Sequence, residues 1–366
     1  MSETVKIRVE AILAGINDKY LGQGLAEAGV VRAIGVDGSE VSVQLQYAFP
    51  VDRDAVAQQV RQALETDPEI DAAVIDINWK VVAHAVQNEL KPISGIKNII
   101  AVASGKGGVG KSTVSVNLAL ALHRAGAAVG MLDADIYGPS LPKMLGASGQ
   151  PEINEDNKLL PKIVHGLKMM SVGFLLEEDT PMIWRGPMVT SALQQLLNDT
   201  EWGELDYLVV DMPPGTGDIQ LTLSQKIPVA GAIIVTTPQD IALLDARRGL
   251  GMFNRVNVSV LGVVENMSSH ICSQCGHETR IFGERGGENL AAEFDTPLLA
   301  QLPLDIRIRQ QTDCGAPTVV SIPDSDLAGC YMDMALRTTA ELSKRPRNRA
   351  SGLPNIVVQS GSGDGS

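Results

Sequence analysis

A glycine-rich stretch in the first half of the chain has the spacing of a phosphate-binding loop. Residues 105–112 read GKGGVGKS and fit the pattern G-x-x-x-x-G-K-[ST] at every position. Glycines allow backbone N–H groups to close around phosphate oxygens without a side-chain clash. We expect Lys111 to reach the β- and γ-phosphates of ATP and Ser112 to bind Mg²⁺. The residues predicted to bind the nucleotide here are Gly105, Lys106, Gly107, Gly108, Val109, Gly110, Lys111, Ser112 and Thr113.

Aspartates follow two short apolar runs farther along the chain. Asp133 and Asp135 come after one run, and Asp211 follows another. ATP hydrolysis needs Mg²⁺ held through a carboxylate and a water molecule positioned in line. We predict that Asp211 is the Walker B carboxylate on the metal side, that Asp135 orients the water, and that Asp133 lies near the metal. The backbone N–H of Gly215, four residues after Asp211, is predicted to contact the γ-phosphate.

Two cysteines with the spacing C-x-x-C, Cys272 and Cys275, form the second group of residues that could do chemistry. This spacing lets two thiolates bind one metal centre, whereas tetrahedral zinc or a [4Fe–4S] cluster usually takes four protein ligands. Cys314 and Cys330 stand alone in the sequence, and we expect them to be packing residues. One chain therefore offers half of a four-thiolate set.

Other interpretations of the cysteine pair stay open at the level of sequence. His270 and His277 flank the pair and could complete a zinc site within one chain. A redox-active dithiol is a further reading, although no thioredoxin-like context surrounds it. The two thiols could also be non-ligands.

A second lysine in the phosphate loop, Lys106, resembles the signature of the deviant Walker A ATPases, the group of MinD, ParA and the nitrogenase iron protein. The resemblance implies a homodimer in which Lys106 reaches the partner's nucleotide and neutralises charge on the transferred phosphoryl group, like an arginine finger. A solvated surface lysine is the alternative. Two chains would also supply four thiolates, so we expect a cluster that bridges the dimer. The predicted catalytic residues are Lys106, Lys111, Asp135 and Asp211.

The elements that must position these residues appear as short apolar runs separated by helix-length segments. Such runs indicate the buried strands of a parallel sheet, whose carboxyl ends carry ligand sites. A helix over Ser112–Arg124, stopped at Gly126, is predicted directly after the phosphate loop. The predicted strands are Ile99–Ala103, Val129–Leu132, Leu208–Val210, Ala232–Val235, Leu261–Val264 and Leu298–Leu302.

The first 90 residues follow a different pattern, which predicts a small α+β domain. The predicted order is a helix over Val5–Leu13, two strands joined at Asp37-Gly38, a helix over Asp54–Leu64 and a strand over Ala72–Val82. The fold class is therefore α/β, a doubly wound, mainly parallel sheet preceded by a small α+β domain. The predicted boundaries are 1–90 for the small domain, 91–97 for a linker, 98–342 for the ATPase domain and 343–366 for a flexible tail.

Composition and charge argue against several classes of protein. The 366 residues carry a formal net charge of −13, which argues against a broad nucleic-acid surface. We find no run of 18 apolar residues and no amino-terminal signal sequence, so we expect a cytoplasmic protein that is not bound to a membrane. Four cysteines in a chain of this length exclude a disulfide scaffold.

Taken together, these motifs resemble the Mrp/ApbC family of iron–sulfur cluster carrier ATPases. The resemblance covers residues 98 to about 340 and rests on GKGGVGKST, DADIYGPS, DMPPGTGD, TTPQDIALLDARRG, ENMS and the C-x-x-C followed by IFGERGG. It implies cluster binding by Cys272 and Cys275 at a homodimer interface, ATP hydrolysis, and transfer to apo-proteins, with scaffold proteins as further partners. Related P-loop ATPases also use an asparagine at the position of Asn266 on the adenine edge.

The chain departs from this family at two places, and other functions compete. Ser273 stands where many relatives carry proline, and Tyr47–Pro50 replaces the region where some relatives carry a cysteine in the amino-terminal domain. That domain is therefore predicted to recognise client proteins. The alternatives are a positioning ATPase of the MinD/ParA type, a zinc-binding P-loop ATPase, and an electron-transfer reductase.

Overall fold

The computed structural model describes residues 2–87, 90–136, 138–175 and 186–348. The helices are α1 (Ser2–Gly15), α2 (Arg53–Leu64), α3 (Lys111–Arg124), α4 (Leu141–Leu145), α5 (Gly186–Asn198), α6 (Asp218–Lys226), α7 (Asp240–Arg255), α8 (Gly286–Glu293), α9 (Ile306–Asp313), α10 (Thr318–Ser321) and α11 (Asp326–Ser343). The strands are β1 (Val31–Asp37), β2 (Glu40–Tyr47), β3 (Ala72–Trp79), β4 (Ile96–Ala103), β5 (Val129–Asp133), β6 (Lys162–Val164), β7 (Leu167–Ser171), β8 (Leu205–Asp211), β9 (Gly231–Thr236), β10 (Val260–Glu265), β11 (His270–Ile271), β12 (Glu278–Thr279) and β13 (Leu298–Gln301).

The large sheet is doubly wound and mainly parallel, as the sequence predicts. Within the described ranges its order is β13-β10-β9-β4-β8-β5-β7-β6, and only β6 runs antiparallel to its neighbour. Strands β5, β9 and β10 are buried along their whole length, which explains why the apolar runs identified them. The order places β4, β8 and β5 side by side, so the loops after these strands meet at one edge.

The small sheet contains β1, β2 and β3 and confirms the predicted order of helices and strands. β1 and β2 form an antiparallel hairpin, while β2 and β3 run parallel. The side chain of Asp52 caps α2 by accepting a hydrogen bond from the backbone N–H of Ala55 at 3.0 Å. β3 ends at Trp79, three residues before the predicted end, because its partner β2 also ends there, at Tyr47.

Two regions predicted to be irregular have more structure than expected. β4 begins at Ile96, inside the predicted linker, because this residue pairs with Leu205 of β8. The start of the predicted tail is held against residues 83–85, since the N–H of Ala85 donates to the carbonyl of Pro346 and the N–H of Asn348 donates to Ala83. The rest of the predicted tail, 349–366, lies outside the described residues.

The strand pair β6–β7 was not predicted. Its turn uses His165 and Gly166, both with positive φ, and β7 adds a parallel strand beside β5. Helix α3 starts at Lys111, one residue earlier than predicted, and Gly126 follows its end with φ of +95°, which confirms the predicted stop. Across the described ranges, no helix combines the length and the apolar character needed to cross a membrane.

Candidate functional site

The phosphate loop connects β4 to α3 and contains glycines of two kinds. Gly107 and Gly108 have open space where a Cβ would lie, and Gly108 adopts φ of +80°. A Cβ on Gly105 would collide with the backbone of Asp245, and one on Gly110 would collide with the amide of Asn266. The first two glycines therefore leave an open cradle that suits phosphate oxygens, whereas the other two allow close packing of the loop.

The carboxylate of Asp211 is the centre of the site and is completely buried. Its Oδ2 accepts a hydrogen bond from Ser112 Oγ at 2.6 Å, and its Oδ1 accepts one from Ser115 Oγ at 2.6 Å. Lys111 Nζ lies 2.9 Å from Oδ1 of Asp211 and 4.0 Å from Oδ2 of Asp135. The structure thus brings Lys111, Ser112, Asp135 and Asp211 together, while Ser115 was missed by sequence reasoning.

Asp133 lies beside Asp211 because the two residues are register partners at the ends of β5 and β8. Burial first, and the negative charge of Asp211 second, raise the pKa of Asp133 to about 7. Its Oδ2 accepts hydrogen bonds from Ser171 Oγ and from the N–H of Leu141, and its Oδ1 accepts one from the N–H of Asp135. Asp133 therefore holds the loop that carries Asp135, and its role near a metal stays a prediction.

Gly215 and Asn266, both predicted to contact nucleotide, make backbone contacts around the loop. The N–H of Gly215 donates to the carbonyl of Ser104 at 2.9 Å, so a γ-phosphate could take this N–H only after that bond breaks. The side-chain amide of Asn266 donates to the carbonyl of Val109 at 2.9 Å. Both residues border the phosphate loop, and their contacts with nucleotide stay predictions.

Lys106 differs from Lys111 in its surroundings. Its side chain is half-buried, and within the described part of the chain it has no ion-pair partner within 4.0 Å. Lys111, by contrast, is 6% exposed and sits between two carboxylates. An unpaired lysine at the mouth of the loop is compatible with a target outside its own chain.

The cysteine pair lies at the tip of a small hairpin, which was not among the predicted strands. β11 and β12 pair His270 with Thr279, and the N–H of Cys272 donates to the carbonyl of His277. Gly276 closes the turn with φ of +71°, and its N–H donates to the carbonyl of Cys272. Cys275 is exposed and Cys272 partly so, which leaves both thiols accessible.

The hairpin also tunes the chemistry of its first thiol. Hydrogen bonds from the backbone N–H groups of Cys275 and then of Gln274 lower the pKa of Cys272. A lowered pKa favours the thiolate, which is the form that binds metals and attacks electrophiles. The turn therefore favours the thiolate form of Cys272, and its role as a metal ligand stays a prediction.

A complete zinc site within one chain does not form among the described residues. No group of three or more histidine, cysteine, aspartate or glutamate side chains there could hold a metal ion. His270 Nδ1 instead donates to the carbonyl of Leu304 at 3.0 Å. Cys330 packs against the large core as predicted, but the prediction for Cys314 was wrong, because it is exposed at the carboxyl end of α9.

Sequence comparison matches this chain to a known protein family. The pattern of the NUBPL iron-transfer P-loop NTPases covers residues 95–339. The chain belongs to this family. A second pattern, that of iron–sulfur cluster assembly proteins, covers residues 6–77, within the small α+β domain.

Two named relatives support this family assignment. An iron–sulfur cluster carrier protein of Haemophilus influenzae is 53% identical over 345 residues, which are 92% of this chain and 91% of that protein. The iron–sulfur cluster transfer protein NUBPL of Mus musculus is 53% identical over 258 residues, covering 70% of this chain and 81% of that protein.

Solved structures support the fold. A nucleotide-binding protein of Archaeoglobus fulgidus, solved in complex with ADP, is 36% identical with a TM-score of 0.56, covering 64% of this chain and 91% of that chain. The cell division ATPase MinD of Pyrococcus furiosus is 23% identical with a TM-score of 0.51, over 66% of this chain and 98% of that chain. The latter likeness concerns the fold alone.

Proposed function

We propose that this protein is an ATP-dependent carrier that holds an iron–sulfur cluster between two copies of the chain and delivers it to apo-proteins. The observation that carries the proposal is the accessible pair of thiols at a hairpin tip, in a chain that also has an assembled phosphate loop. The names of the relatives, iron–sulfur cluster carrier and transfer proteins, support the same role.

The homodimer is inferred from the number of thiol ligands that each chain supplies. A [4Fe–4S] cluster usually takes four cysteine thiolates, and the hairpin supplies Cys272 and Cys275. Two hairpins that face each other across a two-fold axis complete the set, and each cluster then belongs to a pair of chains. Lys106 fits the same dimer, since it is unpaired within the described chain and is proposed to reach the partner's nucleotide.

The nucleotide site supplies the energy for this cycle in our proposal. Lys111 binds the β- and γ-phosphates of ATP within the cradle of Gly107 and Gly108, and Asp135 orients the attacking water. Ser112 and Asp211 would hold Mg²⁺, which neutralises charge on the phosphate oxygens. The hydroxyl and the carboxylate are hard oxygen donors of the kind that Mg²⁺ prefers, so the residues present fit the ion.

A short segment connects the two sites and is proposed to couple them. It starts at Asn266, which contacts the phosphate loop, and ends at Cys272. Along the way the N–H of Ser268 donates to the carbonyl of Leu302, and the N–H of Leu304 donates to the carbonyl of Ser269. These bonds hold the segment against residues 302–304, so a movement of the phosphate loop can reach the hairpin through a short, supported stretch of backbone.

The partners follow from the cargo. Apo iron–sulfur proteins are the proposed clients, and scaffold proteins are the proposed cluster donors. We place the activity in the cytoplasm, where cysteine thiols stay reduced. The small α+β domain is the proposed recognition element for these partners, since no cysteine lies within residues 1–90.

The proposal is tested by anaerobic reconstitution with iron and sulfide, followed by measurement of iron, sulfide and zinc per dimer. We expect about four irons and four sulfides per dimer in the wild type. The double variant Cys272→Ala/Cys275→Ala should lose them and should still bind ATP. Cys314→Ala is the matched control, because it removes another exposed cysteine outside the hairpin and should keep the full cluster.

Two results would overturn the assignment. A double variant that keeps a full cluster would exclude the hairpin thiols as ligands. Zinc at about one per dimer, with no stable iron, would replace the cluster carrier by a zinc-binding ATPase.

A further inference from the structure

A buried serine beside the Walker B aspartate has no assigned task. Ser115 lies one turn after Ser112 on α3, so both hydroxyls face the same side of the helix. Ser115 is fully buried, and its Oγ lies 2.6 Å from Oδ1 of Asp211 and 3.0 Å from the carbonyl of Lys111. A hydroxyl has one proton to donate, and the shorter contact to a charged acceptor takes it.

The three donors around Asp211 differ in what else they must do. In the proposed function, Lys111 turns to the phosphates and Ser112 turns to Mg²⁺. Both now contact the Asp211 carboxylate, at 2.9 Å and 2.6 Å. Ser115 has no role in binding the nucleotide or the ion in this proposal, because its fully buried hydroxyl lies against the carboxylate of Asp211 and the carbonyl of Lys111.

We propose that Ser115 is a positioning residue: its hydroxyl holds Oδ1 of Asp211 after Lys111 and Ser112 have turned to the nucleotide, and so keeps Oδ2 directed at the metal side of the site. This inference rests on the proposed binding of ATP and Mg²⁺. It adds that the Mg²⁺-dependent part of nucleotide binding depends on a residue that touches neither the nucleotide nor the ion.

Burial makes this anchor necessary. Asp211 is fully buried, so water cannot replace a donor that leaves. A buried carboxylate with an unfilled oxygen rotates toward any remaining donor or draws Lys111 back from the phosphates. A fixed hydroxyl on the helix avoids both outcomes, since the helix backbone holds it in place.

The test compares the dissociation constant of a fluorescent ATP analogue with Mg²⁺ and with EDTA. In the wild type, Mg²⁺ should tighten binding. Ser115→Ala should keep the affinity measured in EDTA. Its gain in affinity on adding Mg²⁺ should be about tenfold smaller than that of the wild type, as expected for one hydrogen bond to a charged group. Ser115→Cys keeps most of the side-chain volume with a weak donor and should show the same loss, which covers the case in which the alanine variant does not fold.

Ser224→Ala is the matched control. Ser224 is also fully buried within a helix, and its Oγ donates to the carbonyl four residues earlier, that of Gln220, at 2.8 Å. This variant should keep the full gain from Mg²⁺. An unchanged gain in a folded Ser115 variant, or an equal loss in Ser224→Ala, would overturn the inference. A wild type without any gain from Mg²⁺ would instead refute the proposed nucleotide chemistry, and the inference with it.

Discussion

The nucleotide site and the thiol hairpin are built in opposite ways. Asp211, Lys111 and Ser115 are buried and held by several contacts each, whereas Cys275 is exposed at the end of two-residue strands. The first site has its buried carboxylates and its phosphate loop within one chain. In the proposed function, the second supplies half of a ligand set. The comparison teaches that the groups proposed for nucleotide chemistry are fixed in the core, while the thiols proposed to hold a transferable cluster lie at an accessible edge.

The largest expected effect separates the two lysines of the phosphate loop. Lys111→Ala leaves the buried Asp211 carboxylate without its cation, so we expect a loss of stability of about 3 kcal/mol, together with the loss of ATP hydrolysis. Lys106→Ala should change stability by less than about 0.5 kcal/mol, because the side chain is only partly buried and has no ion-pair partner within the described chain. Urea unfolding of both variants checks this, and equal losses would contradict the buried-pair account.

The next contrast is between two glycines of the phosphate loop, one packed against backbone and one facing open space. Gly105→Ala should destabilise the protein by about 2 kcal/mol, because its Cβ collides with the backbone of Asp245. Gly107→Ala meets open space and should leave the unfolding midpoint within about 0.5 kcal/mol of the wild type, while its methyl group enters the cradle and weakens ATP binding about tenfold or more. Normal ATP affinity in a folded Gly107→Ala variant would exclude this cradle as the phosphate site.

The last contrast concerns the pH dependence of stability. The pKa of Asp133 is raised from its ordinary value of 3.8 to about 7, so the folded state binds a proton more tightly than the unfolded state. This group therefore contributes less stability as the pH rises from about 4 to about 7. Asp133→Asn is neutral throughout, and it should flatten the fall in urea midpoint between pH 4 and pH 7. The same slope in the variant and the wild type would contradict the raised pKa.

The sequence predicted the nucleotide site better than the hairpin, and for a physical reason. The phosphate loop is a local pattern between a strand and a helix, and the buried strands are continuous apolar runs. β11 and β12, by contrast, have two residues each, too few for any periodicity. In the sequence, Ser115 looks like an ordinary helix position, because its proposed role depends on Asp211, which is distant along the chain. The exposure of Cys314 was also not predictable, since it depends on how α9 packs.

The most direct test of the central claim is native mass spectrometry of the anaerobically reconstituted wild type. The account predicts a homodimer that carries one cluster, and it predicts that chains with Cys272→Ala/Cys275→Ala carry none. A dimer of one wild-type and one variant chain should hold no stable cluster, because two thiolates are too few. A monomer that carries a full cluster, or a mixed dimer that retains one, would contradict the claim that each chain holds half of the site.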